Sequence, residues 1–334
     1  MSTTTIEERL TFIAIQDENS AQEFSSDVKT GLTSDPKSLP FVYFYDHAGS
    51  QLFEKICELP EYYLTRAETH ILEIHVCDII SQFPEEITLV ELGSGSSKKT
   101  RILIEAFLQG QGLSSYTPID ISRQMLKESS YELLKTYPDL EITAVAAHYD
   151  EGLDQLKTQG DQAKLITWLG SSVGNLDRSE AVQLLNRIQE FTLPNDRLLI
   201  GIDLKKDRDL LEKAYDDEQG VTAEFNLNLL ARINHELGGD FNLEKFHHDV
   251  TYNEKIGRVE MYLTSNCDQK VIIGDLDLEI SLAEKERIHT ENSFKYSLNE
   301  INILAEKAGF SVERQWFDPE KKFSLNLFAP TDMF

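Results

Sequence analysis

Thr88–Leu108, TLVELGSGSSKKTRILIEAFL, is the stretch on which the fold turns. It reads as an apolar strand, then a turn of small residues from Gly93, then an amphipathic helix. The same alternation continues downstream. YTPIDIS (116–122) is a second short strand, followed by a helix through Met125, Leu126, Leu133 and Leu134. EITAVAAHYD (141–150) supplies a third strand, AKLITWLGSSVGNL (163–176) a fourth and DRLLIGIDL (196–204) a fifth. Short strands rich in Val, Ile and Leu, alternating with helices, indicate an α/β fold with a doubly wound parallel sheet.

Upstream, residues 41–80 are dense in aromatics and then turn helical. Thr65 and Glu68 have the spacing of a capping box, and Leu72, Val76, Ile79 and Ile80 mark one helical face. After Leu204 the alternation stops. Residues 205–250 read as largely helical, and 257–297 as antiparallel β structure. A helix around Ile301–Ala308 and a terminal hairpin over 311–330 recover the earlier style. The expected organisation is an α/β domain of residues 67–204 and 296–334, with residues 1–66 and 205–295 forming a second, substrate-facing part.

Composition narrows the function. The 334 residues carry 58 acidic against 32 basic side chains, a formal charge of −26. Such a chain repels phosphate backbones and anionic membrane surfaces, so neither nucleic acid nor membrane is an expected partner. No apolar run approaches the roughly 18–20 residues that span a bilayer. MSTTTIEERL lacks the features of a signal peptide, and three widely spaced cysteines (Cys57, Cys77, Cys267) form no disulfide framework. The expectation is a soluble protein of the cytoplasm, with a monomer as the default state.

Three places could carry chemistry. Glu91–Gly95 closes the first strand, where glycines permit a tight turn and close approach of a ligand to the backbone. A dinucleotide fingerprint needs a third glycine at 98, which is Lys98, and the P-loop pattern is also absent. A strand, an acidic residue, G-x-G and a helix suit an adenosyl ligand, whose ribose hydroxyls Asp120 could bind; an ordinary strand–helix turn has the same outline. Leu169–Asn175, LGSSVGN, lies where open α/β sheets bind ligands. Its two glycines, Gly170 and Gly174, and the Asn175 amide suit an amino or carboxylate group, or simply a capped βα-loop. Glu291 and Ser293 lie two apart in an extended stretch and would share a face, either toward a pocket or toward solvent. His289–Thr290–Glu291 matches part of a zinc-deaminase signature but lacks its PCxxC partner, so no metal is expected. His247–His248 reads as a surface pair on a helix.

Together these motifs make the chain resemble the histidine-specific N-methyltransferases, S-adenosylmethionine enzymes that trimethylate the α-amino group of L-histidine in ergothioneine biosynthesis. The likeness runs from about Tyr43 to the C-terminus. It is carried by YFYDHAGSQLFEKICELPEYYLTR (43–66), ELGSGSSKKTR (91–101), LGSSVGN, AYDDEQGVTAEFNLNLLARIN (214–234) and the Glu-x-Ser of TENSFKY (290–296). The resemblance implies a class I methyltransferase-like Rossmann sheet with an inserted α+β substrate-binding domain. It also implies S-adenosylmethionine contacts at Gly93, Lys99 and Asp120, with His148 and Tyr149 beside the adenine. The family commonly has an acidic residue near the adenine; here the segment is His148–Tyr149–Asp150, and Asp150 could substitute. Tyr45 and Phe53 would flank the reacting end, and Tyr45 and Asn175 would orient the amine. Tyr62, Gly170, Asn175 and Tyr215 would hold the amino-acid backbone groups, and Met261, Glu291 and Ser293 the imidazole. A carboxylate and hydroxyl at that end favour histidine over another aromatic amino acid such as tryptophan. A non-enzymatic adenosyl-binding protein is the other reading.

Overall fold

A computed structural model describes residues 5–15, 20–155 and 162–331. Its strands are β1 (Leu10–Ala14), β2 (Lys37–Ser38), β3 (Ile87–Leu92), β4 (Leu113–Asp120), β5 (Ile142–Ala146), β6 (Lys164–Trp168) and β7 (Arg197–Asp203). They continue as β8 (Phe246–Asn253), β9 (Arg258–Ser265), β10 (Gln269–Ile273), β11 (Leu278–Leu282), β12 (Arg287–Phe294), β13 (Phe310–Phe317) and β14 (Phe323–Pro330). The chain divides into two compact units: Met1–Ile15, Leu64–Lys205 and Lys295–Phe334 in one, Gln16–Tyr63 and Lys206–Phe294 in the other.

The first unit is built on an eight-stranded sheet in the order β1-β5-β4-β3-β6-β7-β14-β13. The first six are parallel to one another; β14 runs antiparallel to β7, and β13 to β14. Every residue of β3 and of β6 is buried, which is what strands covered on both faces require and why they read as continuous apolar runs. From β3 the chain steps outward to β4 and β5, then returns to the other side of β3 as β6. The order reverses between β3 and β6, so the crevice at their carboxyl ends is where a ligand binds such a sheet. This is the class I methyltransferase arrangement, with one additional parallel strand at its edge. Asp203 and Lys295 form an ion pair of 2.9 Å with neither side chain exposed to solvent.

The second unit has a four-stranded sheet, β2-β12-β9-β8, and a separate β10-β11 hairpin. The helix Val221–Leu237 runs between two glycines in left-handed conformation, Gly220 (φ 74°) and Gly238 (φ 63°). Asp217 ties down its start, accepting from Val221 N (3.0 Å) and Thr222 N (2.7 Å). Asp46 does the same for the helix His47–Glu58, accepting from Gly49 N at 2.7 Å.

Three expectations need correction. Leu10–Ala14, expected with the substrate-facing part, is an edge strand of the large sheet and pairs with Ile142–Ala146. Residues 246–250, read as helical, open β8, which pairs antiparallel with β9. His247 and His248 therefore lie on a strand, with His248 half-buried. Nor do Thr65 and Glu68 cap a helix. The helix begins at Tyr63, two residues earlier, and the Glu68 carboxylate is fully buried and engaged elsewhere.

Candidate functional site

In the first unit the site begins where β3 ends. Gly93 has φ 71° and Gly95 φ 48°, both in the region that favours glycine. A Cβ on Gly93 would stand 2.8 Å from the Tyr149 hydroxyl, whereas one on Gly95 would meet nothing within 4 Å. The first glycine is there because a side chain packs against it; the second leaves a bare backbone edge beside open space. Asp120, at the end of β4, holds the turn: Oδ2 accepts from Gly95 N and Oδ1 from Ser122 N, each at 2.8 Å. Burial raises its pKa, against the lowering effect of those two N–H groups. Each carboxylate oxygen has two lone pairs, so both retain capacity for a ligand hydroxyl.

Below the turn, Glu91 is buried and accepts from the Thr100 and Tyr116 hydroxyls. Burial pushes its pKa up to about 7, opposed by those same two bonds. Ser97 Oγ stands 3.0 Å from the Tyr116 hydroxyl, so the small-residue turn is bolted to β4 through Tyr116. Lys99 precedes the helix Thr100–Gln109 and donates to Glu68. After β5, exposed His148 forms the N-cap of the short helix Tyr149–Asp154 without a side-chain capping bond. The Tyr149 ring lies edge-on to Trp168, centroids 5.9 Å apart, and burial drives its phenol pKa upward. After β6 the chain turns through two consecutive left-handed residues, Gly170 (φ 75°) and Ser171 (φ 60°), into the single turn Ser172–Asn175. Gly93, Asp120, Tyr149 and the Gly170–Asn175 turn all lie at or just after carboxyl ends of neighbouring parallel strands, while Lys99 opens the helix after β3. An adenosyl ligand fits this set: a side-chain-free edge at Gly95, an acceptor pair at Asp120 and an ammonium at Lys99.

In the second unit, aromatic rings form a continuous run. Tyr45 lies 5.7 Å from Phe53, Phe53 6.2 Å from Tyr62 and Tyr62 6.0 Å from Tyr215, all edge-on. Phe225, which the sequence reading missed, contacts both Tyr45 (5.9 Å) and Phe53 (6.0 Å). Its signal was present in the 214–234 motif, but a lone Phe on a helix reads as core. The run ends at the hydroxyl of Tyr215, 2.8 Å from Ser293 Oγ. Ser293 and Glu291 lie on β12, where Glu291 pairs with Met261 of β9 and a bulge follows His289. The bulge precedes both residues, so their i, i+2 relation is intact and they share a face. Tyr62 has its pKa raised, first by burial, then by Tyr215, Cys57, Tyr45 and Glu291. Beneath Tyr215, His248 bridges the Asn226 amide and the Tyr215 carbonyl, each at 2.8 Å. With the amide donating to Nδ1, the proton belongs on Nε2 and donates to the carbonyl. Burial lowers the His248 pKa and keeps the ring neutral.

Among the described residues, no group of three or more His, Cys, Asp or Glu is placed to hold a metal ion, and no helix is long and apolar enough to cross a membrane. His289 of the His-x-Glu fragment bonds instead to Asn292, at 2.8 Å.

Residues 24–330 match the model of the family described as histidine-specific methyltransferase, SAM-dependent. The chain belongs to that family. It is 39% identical over 310 residues to the histidine N-alpha-methyltransferase of Mycolicibacterium smegmatis, covering 93% of this chain and 96% of that one. It is 40% identical over 303 residues to the enzyme of the same name from Mycobacterium tuberculosis, covering 91% and 94%. The ergothioneine biosynthesis protein 1 of Neurospora crassa is 33% identical over 317 residues, covering 92% of this chain but 35% of that longer protein. Family membership makes the chain an S-adenosylmethionine-dependent methyltransferase.

Proposed function

We propose that this enzyme transfers methyl groups from S-adenosylmethionine to the α-amino nitrogen of L-histidine, ending at the trimethylated amino acid used for ergothioneine. The observation that carries the substrate assignment is the pairing of Glu291 with Ser293 on one face of β12, the latter already oriented by Tyr215. A carboxylate and a hydroxyl suit the two imidazole nitrogens, one as acceptor and one as either partner. A site built to bond its substrate in this way rejects an isostere lacking those groups by about 10⁴–10⁵.

The remaining roles follow from side-chain chemistry. S-adenosylmethionine supplies an electrophilic methyl on a positively charged sulfur. Asp120 accepts from the ribose hydroxyls, the Lys99 ammonium faces the methionine carboxylate, and Gly93 with Tyr149 borders the adenosyl group. His148 and Asp150 are exposed just after β5, and Asp150 would be the carboxylate available to the adenine amino group. The resemblance assigns Gly170 and Asn175 of the first unit to the substrate's amino and carboxylate groups; of the second unit it assigns Tyr62 and Tyr215 to the same groups, Phe53 to the reacting end and Met261 to the imidazole. Tyr45 and Asn175 are each assigned to the neutral amine, whose lone pair would have to point in line with the methyl carbon and sulfur. With the cofactor bound, the amine nitrogen would take the methyl group and the sulfur would keep the electron pair of the C–S bond that breaks. Over three rounds the starting ammonium loses three protons and gains three methyl groups. Alignment of this kind can account for roughly 7–11 kcal/mol of the barrier. We also place the enzyme in the cytoplasm as a monomer; Cys57, Cys77 and Cys267 are not joined in disulfides, as a reducing compartment maintains.

The test is mass spectrometry after incubation with S-adenosylmethionine and all twenty free amino acids. Histidine alone progressing to its trimethyl form supports the assignment. Methylation of a different amino acid retains the chemistry and overturns the roles of Glu291 and Ser293.

A further inference from the structure

Glu68 lies on the helix Tyr63–Ile80 with its side chain fully buried. Lys99 Nζ donates to its Oε2, and Gly170 N donates to the same carboxylate, 3.0 and 2.9 Å from the two oxygens. β7 makes room for it: a Cβ on Gly201 would stand 1.9 Å from Glu68 Oε1. A carboxylate shut away from water must be matched by charge and by N–H donors. Here the matching groups come from two different loops, the one after β3 and the one after β6.

The second of these loops is under backbone strain. Ser171 takes a left-handed conformation that a residue with a Cβ adopts uncommonly. From outside the loop it is held by Gly170 N on Glu68 and by Asp203 N donating to Ser171 Oγ at 2.9 Å. Asp203 is itself fixed by buried Lys295. Glu68 therefore stands at one end of a buried polar chain that sets the shape of the turn leading to Asn175.

We infer that Glu68 is a positioning residue that fixes, with one carboxylate, both the direction of the Lys99 ammonium and the turn presenting Asn175, so that cofactor anchoring and amine placement are set together. The inference rests on the roles proposed above for Lys99 and Asn175. Mere charge predicts the opposite sign, because withdrawing a carboxylate from Lys99 would strengthen its attraction for another.

The experiment uses the full chain, with circular dichroism establishing that each variant is folded. Binding of S-adenosylmethionine and of its decarboxylated analogue is titrated calorimetrically, and histidine KM and kcat are measured at saturating cofactor. In Glu68→Gln, cofactor binding weakens by about tenfold, a typical size for coupled neighbours. The preference for S-adenosylmethionine over the decarboxylated analogue falls, and histidine KM rises. In Lys99→Met the cofactor effect appears without the histidine effect. The double variant binds cofactor no more weakly than Lys99→Met alone. Gly201→Ala, which keeps the Glu68 carboxylate but pushes it from its position, reproduces the Glu68→Gln pattern should that variant not fold. Folded Glu68→Gln with unchanged or tighter cofactor binding, while Lys99→Met is weakened, overturns the inference alone. Lys99→Met with unchanged cofactor affinity overturns the Lys99 assignment and this inference with it.

Discussion

Replace Tyr215 by phenylalanine and the Ser293 hydroxyl loses a partner that stands 2.8 Å away. Tyr215 is 6% exposed and Ser293 3%, so bulk water does not reach in to substitute. A buried hydroxyl deprived of its partner costs roughly 1–3 kcal/mol, against a net gain of about 1 kcal/mol for an intact neutral bond. If Ser293 meets the imidazole only when Tyr215 orients it, that penalty appears in the transition state for histidine. Each of Tyr215→Phe and Ser293→Ala is then expected to lower kcat/KM for histidine about 5- to 150-fold. The double variant removes both ends of the bond, so its loss exceeds that of the worse single variant by no more than about fivefold. The assay is steady-state methyl transfer at saturating S-adenosylmethionine for the four proteins of the cycle. Losses that multiply in the double variant would show that the two hydroxyls act independently, and the pair would not be a unit of recognition.

Gly93→Ala is expected to weaken S-adenosylmethionine binding by roughly 5- to 30-fold, because left-handed backbone costs a residue with a Cβ about 1–2 kcal/mol. The new methyl would also press on the Tyr149 hydroxyl, 2.8 Å away; calorimetric titration reads the effect. Asp120→Asn should weaken cofactor binding more than histidine binding, since an amide NH2 must now face the N–H of Gly95 or Ser122. Comparing the two KM values tests this. Burial holds the pKa of His248 and of His289 below the ordinary 6.5. At these two sites the unfolded chain binds more protons than the folded one between the depressed values and 6.5, so each destabilises the fold as pH drops below about 6.5, opposite in sign to Glu91, whose raised pKa stabilises it on acidification below about 7. NMR titration of the two imidazoles in the folded protein checks the direction: ring pKa values at or above 6.5 would contradict it.

What was legible in the sequence was whatever a short stretch decides by itself. The β3 strand, the turn of small residues and the following helix occupy one continuous segment, and their burial pattern follows directly from the order of apolar residues. The fold class rests on the same kind of local alternation. Glu291 and Ser293 could be placed on one face because the period of an extended chain is two, and the bulge at Thr290 comes before both. Phe225 and Glu68 were missed for a common reason: on a helix, a residue's role depends on what another segment brings against it.

Glu68 shows where the boundary falls. Three residues after a threonine, a glutamate satisfies the local pattern of a cap, and nothing nearby in sequence contradicts it. Its partners lie 31 and 102 residues further along, at Lys99 and Gly170. β1 likewise carries no mark of the sheet it joins, because its pairing with β5 needs a segment some 130 residues distant in the chain. The first five residues of β8, Phe246–Val250, carry a helical reading that only their pairing with β9 overturns. Sequence determined the fold class, which is written in local spacing, and carried the motifs on which the proposed adenosyl and imidazole assignments rest. Tertiary structure alone decided which buried carboxylate balances which ammonium and which edge completes the sheet, because a backbone or charge taken out of water must find its partner wherever the chain supplies one.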